Sequence, residues 1–368
     1  MPRLALLTFL GLVACSSPEL DGTTSDSFRA DRLPPSRSKD AAASAEPTAD
    51  AGVAIAADDD EPIPNPVIPA AQGGVADPGV MRDVDGRYYM VSTGGSAGIY
   101  PIRVSGDLVR WQHVGYVFPR GSEPSWYDGA PWAPELHRVG ARYVVFFTAK
   151  SKTTGKMALG VATSDAPTGP FVDRGKPILA ESPIGAIDSH YFRDPNDGRH
   201  YMLWKQESNG LPPAGTPLFL QELAADGLSL VGKRVELLRN DLPWEANLVE
   251  GAWMIARDGW YYLFYSGNAF FDHRYATGVA RSRSPRGPFE KHGAPILAST
   301  ADDCWQGPGH GSIVEGPDGA DWYVFHAWEK GRVGGGSPRL GLADRVTWKD
   351  GWPSINDGRP SPGSCGAR

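Results

Sequence analysis

Three acids have the types and spacing for chemistry. Asp77 lies in Ala76-Asp77-Pro78-Gly79-Val80, Asp188 in Ala186-Ile187-Asp188-Ser189-His190, and Glu250 in Val249-Glu250-Gly251-Ala252-Trp253. Each sits in an apolar or small-residue run. Each is followed, eight or nine residues on, by the Asp of a turn: Asp85, Asp197 and Asp258. The shared register implies equivalent inner-strand positions aimed at one axis. Cleavage of a glycosidic bond needs one carboxylic acid to protonate the leaving oxygen and a second carboxylate to activate water or attack directly. A neighbouring carboxylate raises the acid's pKa by like-charge repulsion, so three converging acids can fill every role. Taken singly, Asp77 before a Pro reads as a turn, Asp188 as a loop cap and Glu250 as a buried ion-pair partner. The common register favours the chemical reading.

The elements that must hold these acids repeat. A turn followed by aromatic strand residues occurs at Asp85-Gly86-Arg87-Tyr88, Gly140-Ala141-Arg142-Tyr143, Asp197-Gly198-Arg199-His200-Tyr201, Asp258-Gly259-Trp260-Tyr261 and Asp318-Gly319-Ala320-Asp321-Trp322. Tyr88, Tyr143, Tyr201, Tyr261 and Trp322 are spaced by 55, 58, 60 and 61 residues. Asp-Gly between strand-like runs is a hairpin signal. A second element, Ala162-Thr163-Ser164 through Gly169-Pro170-Phe171, recurs as Ala280-Arg281-Ser282 through Gly287-Pro288-Phe289, 118 residues later, or two periods. No amphipathic helix of useful length interrupts the region. The pattern predicts an all-β fold, a single five-bladed β-propeller with four strands per blade. A β-sandwich does not repeat at this period.

With the propeller and its acids in place, the sequence resembles glycoside hydrolase family 43. The matching pieces are Ala76-Asp77-Pro78, Trp132-Ala133-Pro134-Glu135-Leu136, Ile187-Asp188, Glu250-Gly251 followed by Tyr261-Tyr262-Leu263-Phe264-Tyr265-Ser266, and Gly307-Pro308-Gly309-His310-Gly311-Ser312. They span nearly all of the repeating region in the family's order. The resemblance implies a five-bladed propeller that inverts the anomeric centre in one displacement. It implies Asp77 as general base, Glu250 as general acid, and Asp188 as the residue that raises the acid's pKa and orients it. Base and acid are then expected roughly 6.5–9.5 Å apart. Ser189 and Ala252 stand where relatives often carry other small residues or Pro, which changes no catalytic atom. By the same resemblance Trp132 contributes a sugar-stacking floor, and Arg339 binds substrate or holds Asp77 ionised. His310 is expected on the axis, touching a structural calcium ion or ordered water. Calcium prefers oxygen, so water would fill most of its shell. No cofactor is required. Arg193-Asp194-Pro195 mimics a motif of a retaining propeller family, but it runs straight into Asn196-Asp197-Gly198, and a hairpin turn explains it.

The flanks set the cellular context. A basic start and the apolar run of residues 4–14 end in Leu12-Val13-Ala14-Cys15-Ser16, which resembles a bacterial lipobox with Cys15 as the lipidated residue. Residues 16–66, with 11 acidic and 4 basic residues and Phe28 as the one aromatic, read as a disordered tether. Their surplus accounts for the chain's formal charge of −7 and leaves the remainder near neutral. Nothing in that balance suits nucleic acid. Of 368 residues, 45 are Gly, 33 Pro and 12 Trp, a turn-rich aromatic composition suited to a β protein that handles carbohydrate. Cys304 and Cys365 have the option of pairing in an oxidising compartment. The organisation expected is signal 1–15, tether 16–66, propeller 67–358 and tail 359–368, acting as a monomer anchored by lipid in the bacterial cell envelope, periplasmic or on the cell surface. The expected activity is that of an inverting α-L-arabinofuranosidase acting on plant cell-wall oligo- or polysaccharide. β-Xylosidase, endo-arabinanase and galactan-active relatives are the alternatives, and a non-catalytic, lipid-anchored glycan-binding propeller is the alternative class. The short tail after the fifth blade leans towards arabinose, because some xylosidases of the family add a further domain.

Overall fold

The computed structural model describes residues 63–181, 183–209 and 215–365. Cys15 and nearly all of the expected tether lie outside the described residues. Strands form where β-branched and aromatic residues alternate between Gly-rich turns. The first blade comprises β1 (Gly79–Arg82), β2 (Tyr88–Val91), β3 (Gly98–Ser105) and β4 (Gln112–Pro119). The second comprises β5 (Trp132–Val139), β6 (Arg142–Lys150), β7 (Met157–Ser164) and β8 (Val172–Asp173). The third comprises β9 (Ala186–Arg193), β10 (His200–Gln206), β11 (Leu218–Leu223) and β12 (Leu230–Leu238). The fourth comprises β13 (Val249–Arg257), β14 (Trp260–Gly267), β15 (Ala276–Ser282) and β16 (Glu290–Lys291). The fifth comprises β17 (Trp305–Glu315), β18 (Asp321–Glu329), β19 (Leu340–Lys349) and β20 (Trp352–Ile355). Each set is one antiparallel four-stranded sheet in chain order, so the fold is the five-bladed propeller that the repeat implies.

The repeated turns join the first and second strands of every blade. The marked aromatics open, or nearly open, the second strands, and all five are buried. Three of them tie their blade to the one before. Tyr88 Oη donates to the carbonyl of Glu315 at 3.0 Å, Tyr143 Oη to Asp83 at 2.6 Å and Tyr261 Oη to Asp194 at 2.8 Å. Asp194 also accepts the amide of Asn196, so Arg193-Asp194-Pro195 is the hairpin turn between β9 and β10. The apolar core divides into five clusters, each spanning one interface between neighbouring blades.

Closing the ring needs special bonds, because no strand is exchanged between the first and last blades. Ile68 bridges Gly341 on β19. Asn65, at the end of the stretch read as tether, is fully buried. Its side chain receives the amide of Ala343 at 2.9 Å and donates to that residue's carbonyl at 3.0 Å and to Ser361 at 2.7 Å. Its carbonyl accepts the amide of Ser364 at 2.9 Å. A Cys304–Cys365 disulfide pins the tail to the start of the fifth blade. Asn65→Ala leaves the Ala343 amide and carbonyl without their partner. The expected loss is about 2 kcal/mol in urea unfolding; an unchanged unfolding midpoint contradicts this closure.

Candidate active site

The inner strands converge on the axis, and each turns there through one left-handed residue: Asp77 (φ 52°), Ala133 (35°), Asp188 (56°), Gly251 (60°) and His310 (45°). A left-handed residue swings its N–H out of the strand ladder, and a buried N–H needs a partner. In four blades a side chain of the preceding blade's second strand, or of the residues just after it, supplies the acceptor. Ala133 N–H bonds Thr93 Oγ1 (2.7 Å), Asp188 N–H bonds Thr148 Oγ1 (3.0 Å), His310 N–H bonds Ser266 Oγ (2.8 Å) and Asp77 N–H bonds His326 Nδ1 (3.2 Å). Gly251 is the exception; its N–H bonds Asp188 Oδ2 at 3.2 Å. A Cβ on Gly251 would lie 2.9 Å from the His310 ring, so only glycine fits there.

This ring corrects the register read from sequence. Asp77 and Asp188 are equivalent, but the residue equivalent to them in the fourth blade is Gly251. Glu250 stands one place earlier, matching Trp132 and Ile187. The bulge between Glu250 and Trp253 still brings the Glu250 carboxyl into the electrostatic field that Asp188 and His310 share. All three acids are buried. With Ala133, Gly251 and His310, Asp77 and Asp188 line a narrow axial cavity.

The three carboxyls have unlike surroundings. Burial alone would raise the pKa of Asp77, but Arg339, His310, His326 and Thr93 together hold it well below the usual carboxylate range. Arg339 donates to Oδ1 at 2.7 Å, Thr93 donates to Oδ2 at 2.5 Å, and His310 Nδ1 lies 3.5 Å from Oδ1. Asp188 is pushed the other way, to about 7. Burial is the main cause; Glu250 and Asp77 add to it, while His310 and Lys205 oppose it. Glu250 accepts from Lys205 Nζ on Oε2 at 3.0 Å and from Tyr275 Oη on Oε1 at 2.9 Å. Burial works against a charged His310, yet the three acids raise its pKa. Burial and Arg339 keep His326 neutral, in keeping with its acceptor role at Nδ1.

Apolar surface rims the acids. Trp132 opens β5 and is 40% exposed. Across the site the Arg339 guanidinium lies 4.7 Å from the centre of the Phe270 ring, and Phe271 beside it is 64% exposed. A sugar's C–H face stacks on such rings, while its hydroxyls need the charged groups between them.

The family model of Glycosyl hydrolases family 43 matches residues 63–353. The chain belongs to glycosyl hydrolases family 43. Among its curated relatives is a putative beta-xylosidase of Xylanibacter ruminicola, 28% identical over 76% of this chain, of whose length the chain spans 49%. Another is an extracellular exo-alpha-(1->5)-L-arabinofuranosidase of Streptomyces chartreusis, 29% identical over 78% of this chain and 89% of the relative. Among solved structures, a thermostable family-43 glycoside hydrolase superposes with a TM-score of 0.71 at 28% identity, covering 78% of this chain and 96% of the other.

Several residues of this family-43 site escaped the sequence reading: Thr93, Thr148, Lys205, Ser266, His326 and Tyr275. The first five do carry a signal. Each is a polar residue four or five places after a marked aromatic, at or just beyond the end of an apolar strand run. Tyr275 lies on a loop with no repeat register. One further cluster, Glu135, His137 and His190, has metal-like proximity. Met254 N–H donates to His190 Nε2 at 2.9 Å, so the proton on His190 sits at Nδ1, facing Glu135 Oε2 at 2.8 Å. That nitrogen has no lone pair to offer, and the cluster is a hydrogen-bonded brace.

The Asp188 shift carries a stability consequence. Its folded pKa lies above the ordinary value of 3.8, so the native state holds a proton that the unfolded chain has lost between that value and about 7. The contribution favours folding at low pH and fades as pH rises through that window. Asp188→Asn therefore gains melting temperature relative to the parent protein as pH is raised from about 4 to about 7, and the difference levels off above that. A difference that does not change with pH contradicts the assignment.

Proposed function

We propose that this family-43 protein is an inverting glycosidase that removes α-L-arabinofuranosyl units from plant cell-wall glycans, with Asp77 as general base and Glu250 as general acid. The observation that carries the catalytic reading is the unequal environment of the acids. Asp77 is held ionised by Arg339 and Thr93, as a base must be. Asp77 takes a proton from water as that oxygen bonds to the anomeric carbon. Glu250 gives its proton to the glycosidic oxygen as the carbon–oxygen bond breaks, and the anomeric configuration inverts. Asp188 modulates the acid and orients it through the shared ring, and Trp132 and Arg339 bind the sugar.

The Streptomyces relative, matched over 89% of its length, supports arabinose, and its description as extracellular supports export. We extend that to lipid anchoring at Cys15. The Xylanibacter relative keeps β-xylosidase as the second reading. Calcium beside His310 would find little protein oxygen, since both Asp77 oxygens and both Glu250 oxygens are already engaged. One imidazole and water would have to hold it. The proposed displacement needs no such ion, and turnover is expected to survive treatment with EDTA.

Sugar release by residues 63–368 from aryl α-L-arabinofuranoside, aryl β-D-xyloside and arabinan tests the reading. Asp77→Ala is expected to lose turnover by at least roughly a hundredfold on every substrate. Glu250→Ala is expected to keep turnover only on aryl glycosides, whose good leaving groups need little protonation. Undiminished turnover by Asp77→Ala contradicts the base assignment. Arabinoside left intact while the xyloside is cleaved replaces arabinose with xylose.

A further inference from the structure

One member of the axial ring departs from the pattern of the other four. Thr93, Thr148, Ser266 and His326 each stand opposite the residue that precedes a left-handed turn, and each accepts the turn amide of the next blade. In the third blade that place, opposite Ile187, belongs to Lys205. An ammonium has three donors and no acceptor. The Gly251 amide therefore turns to Asp188, and Lys205 Nζ reaches Glu250 Oε2 at 3.0 Å, with Glu207 Oε2 at 3.7 Å. Lys205 is 0% exposed. Lysine is almost never wholly buried without a paired charge, and four blades close the same turn with uncharged side chains. Ring architecture alone does not ask for an ammonium here.

We propose that Lys205 is the positioning residue of Glu250: its ammonium fixes the carboxyl's orientation and faces the charge left on Glu250 once the proton has passed to the leaving oxygen. The proposal rests on the reading of Glu250 as general acid. The charged and titratable groups facing this pair are Asp188 from β9, Glu207 beyond β10, Tyr275 ahead of β15, His310 from β17 and Asp77 ahead of β1; Arg339 acts on His310 from the far side. Burial works against the charge on Lys205, but Glu250, Asp188 and Glu207 outweigh it and keep the ammonium protonated. A cation this close favours the carboxylate that remains after proton transfer, and so favours donation to the leaving oxygen. Tyr275 holds the second oxygen without adding charge.

The test is the pH dependence of kcat and kcat/KM, from about pH 4 to about pH 9, on an aryl glycoside and on a disaccharide of the sugar that the parent enzyme releases. Lys205→Met is expected to move the alkaline limb up by about one pH unit and to lower kcat on the disaccharide roughly tenfold, with a smaller loss on the aryl glycoside. Lys205→Arg is expected to restore the limb. Should Lys205→Met fail to fold by circular dichroism, Lys205→Met with Glu207→Gln removes one charge of each sign and carries the same expected shift. A folded, active variant whose alkaline limb has not moved overturns the proposal and leaves the acid assignment standing. Full disaccharide turnover by Glu250→Gln, or no turnover by the parent enzyme on any glycoside, overturns the acid assignment and this proposal together.

Discussion

An amide turned out of its strand by a left-handed residue, and caught by the neighbouring blade, is the interaction on which this molecule depends. Five strands cannot all continue to a common axis; they crowd, and each must bend. The bend falls on Asp77, Ala133, Asp188, Gly251 and His310. Four of these are not glycine, and left-handed backbone at such residues costs on the order of 1–3 kcal/mol each. The cost is offset by the bond each amide makes, by the apolar clusters between blades and by the Asn65 closure. Strain of this kind, concentrated where the acids stand, redirects side chains that an ordinary strand would point out of one face of its sheet.

The same ring explains why equivalent carboxyls behave differently. Asp77 and Asp188 share backbone conformation and depth, yet one is held ionised and the other is pushed to about 7. The difference lies in what the neighbouring elements deliver. The segment leading into β19 brings Arg339 to Asp77, and Thr93 donates to it while accepting the Ala133 amide. Asp188 receives the Gly251 amide but, among the described residues, no cation at bonding distance. Glu250 draws on Lys205 and Tyr275 from two further elements. One repeated backbone thus carries three electrostatic environments, which is the separation that acid–base chemistry at a single pH requires.

Much of this was legible in the chain. The Asp-Gly turns and the spaced aromatics imply five four-stranded units, because hairpin chemistry is local and the repeat copies it. The acids could be placed on the axis from that register alone. The one-residue offset of Glu250 could not, since a bulge depends on how the neighbouring blade receives a freed amide. The partners of the acids were harder still. Arg339 was marked by resemblance, whereas Thr93, Lys205 and His326 are ordinary strand residues until the blades are stacked. Asn65 looked like part of a polar tether; its role appears only when the chain's two ends meet on the fifth blade.

In the proposed mechanism a base on the first blade and an acid on the fourth act on one bound sugar without a covalent intermediate. The most direct measurement is a proton NMR time course of hydrolysis of an aryl α-L-arabinofuranoside, resolving the anomer released first. Inversion releases β-L-arabinose first, followed by slow mutarotation. Initial release of the α anomer would contradict it, because retention requires a carboxylate to attack the sugar directly.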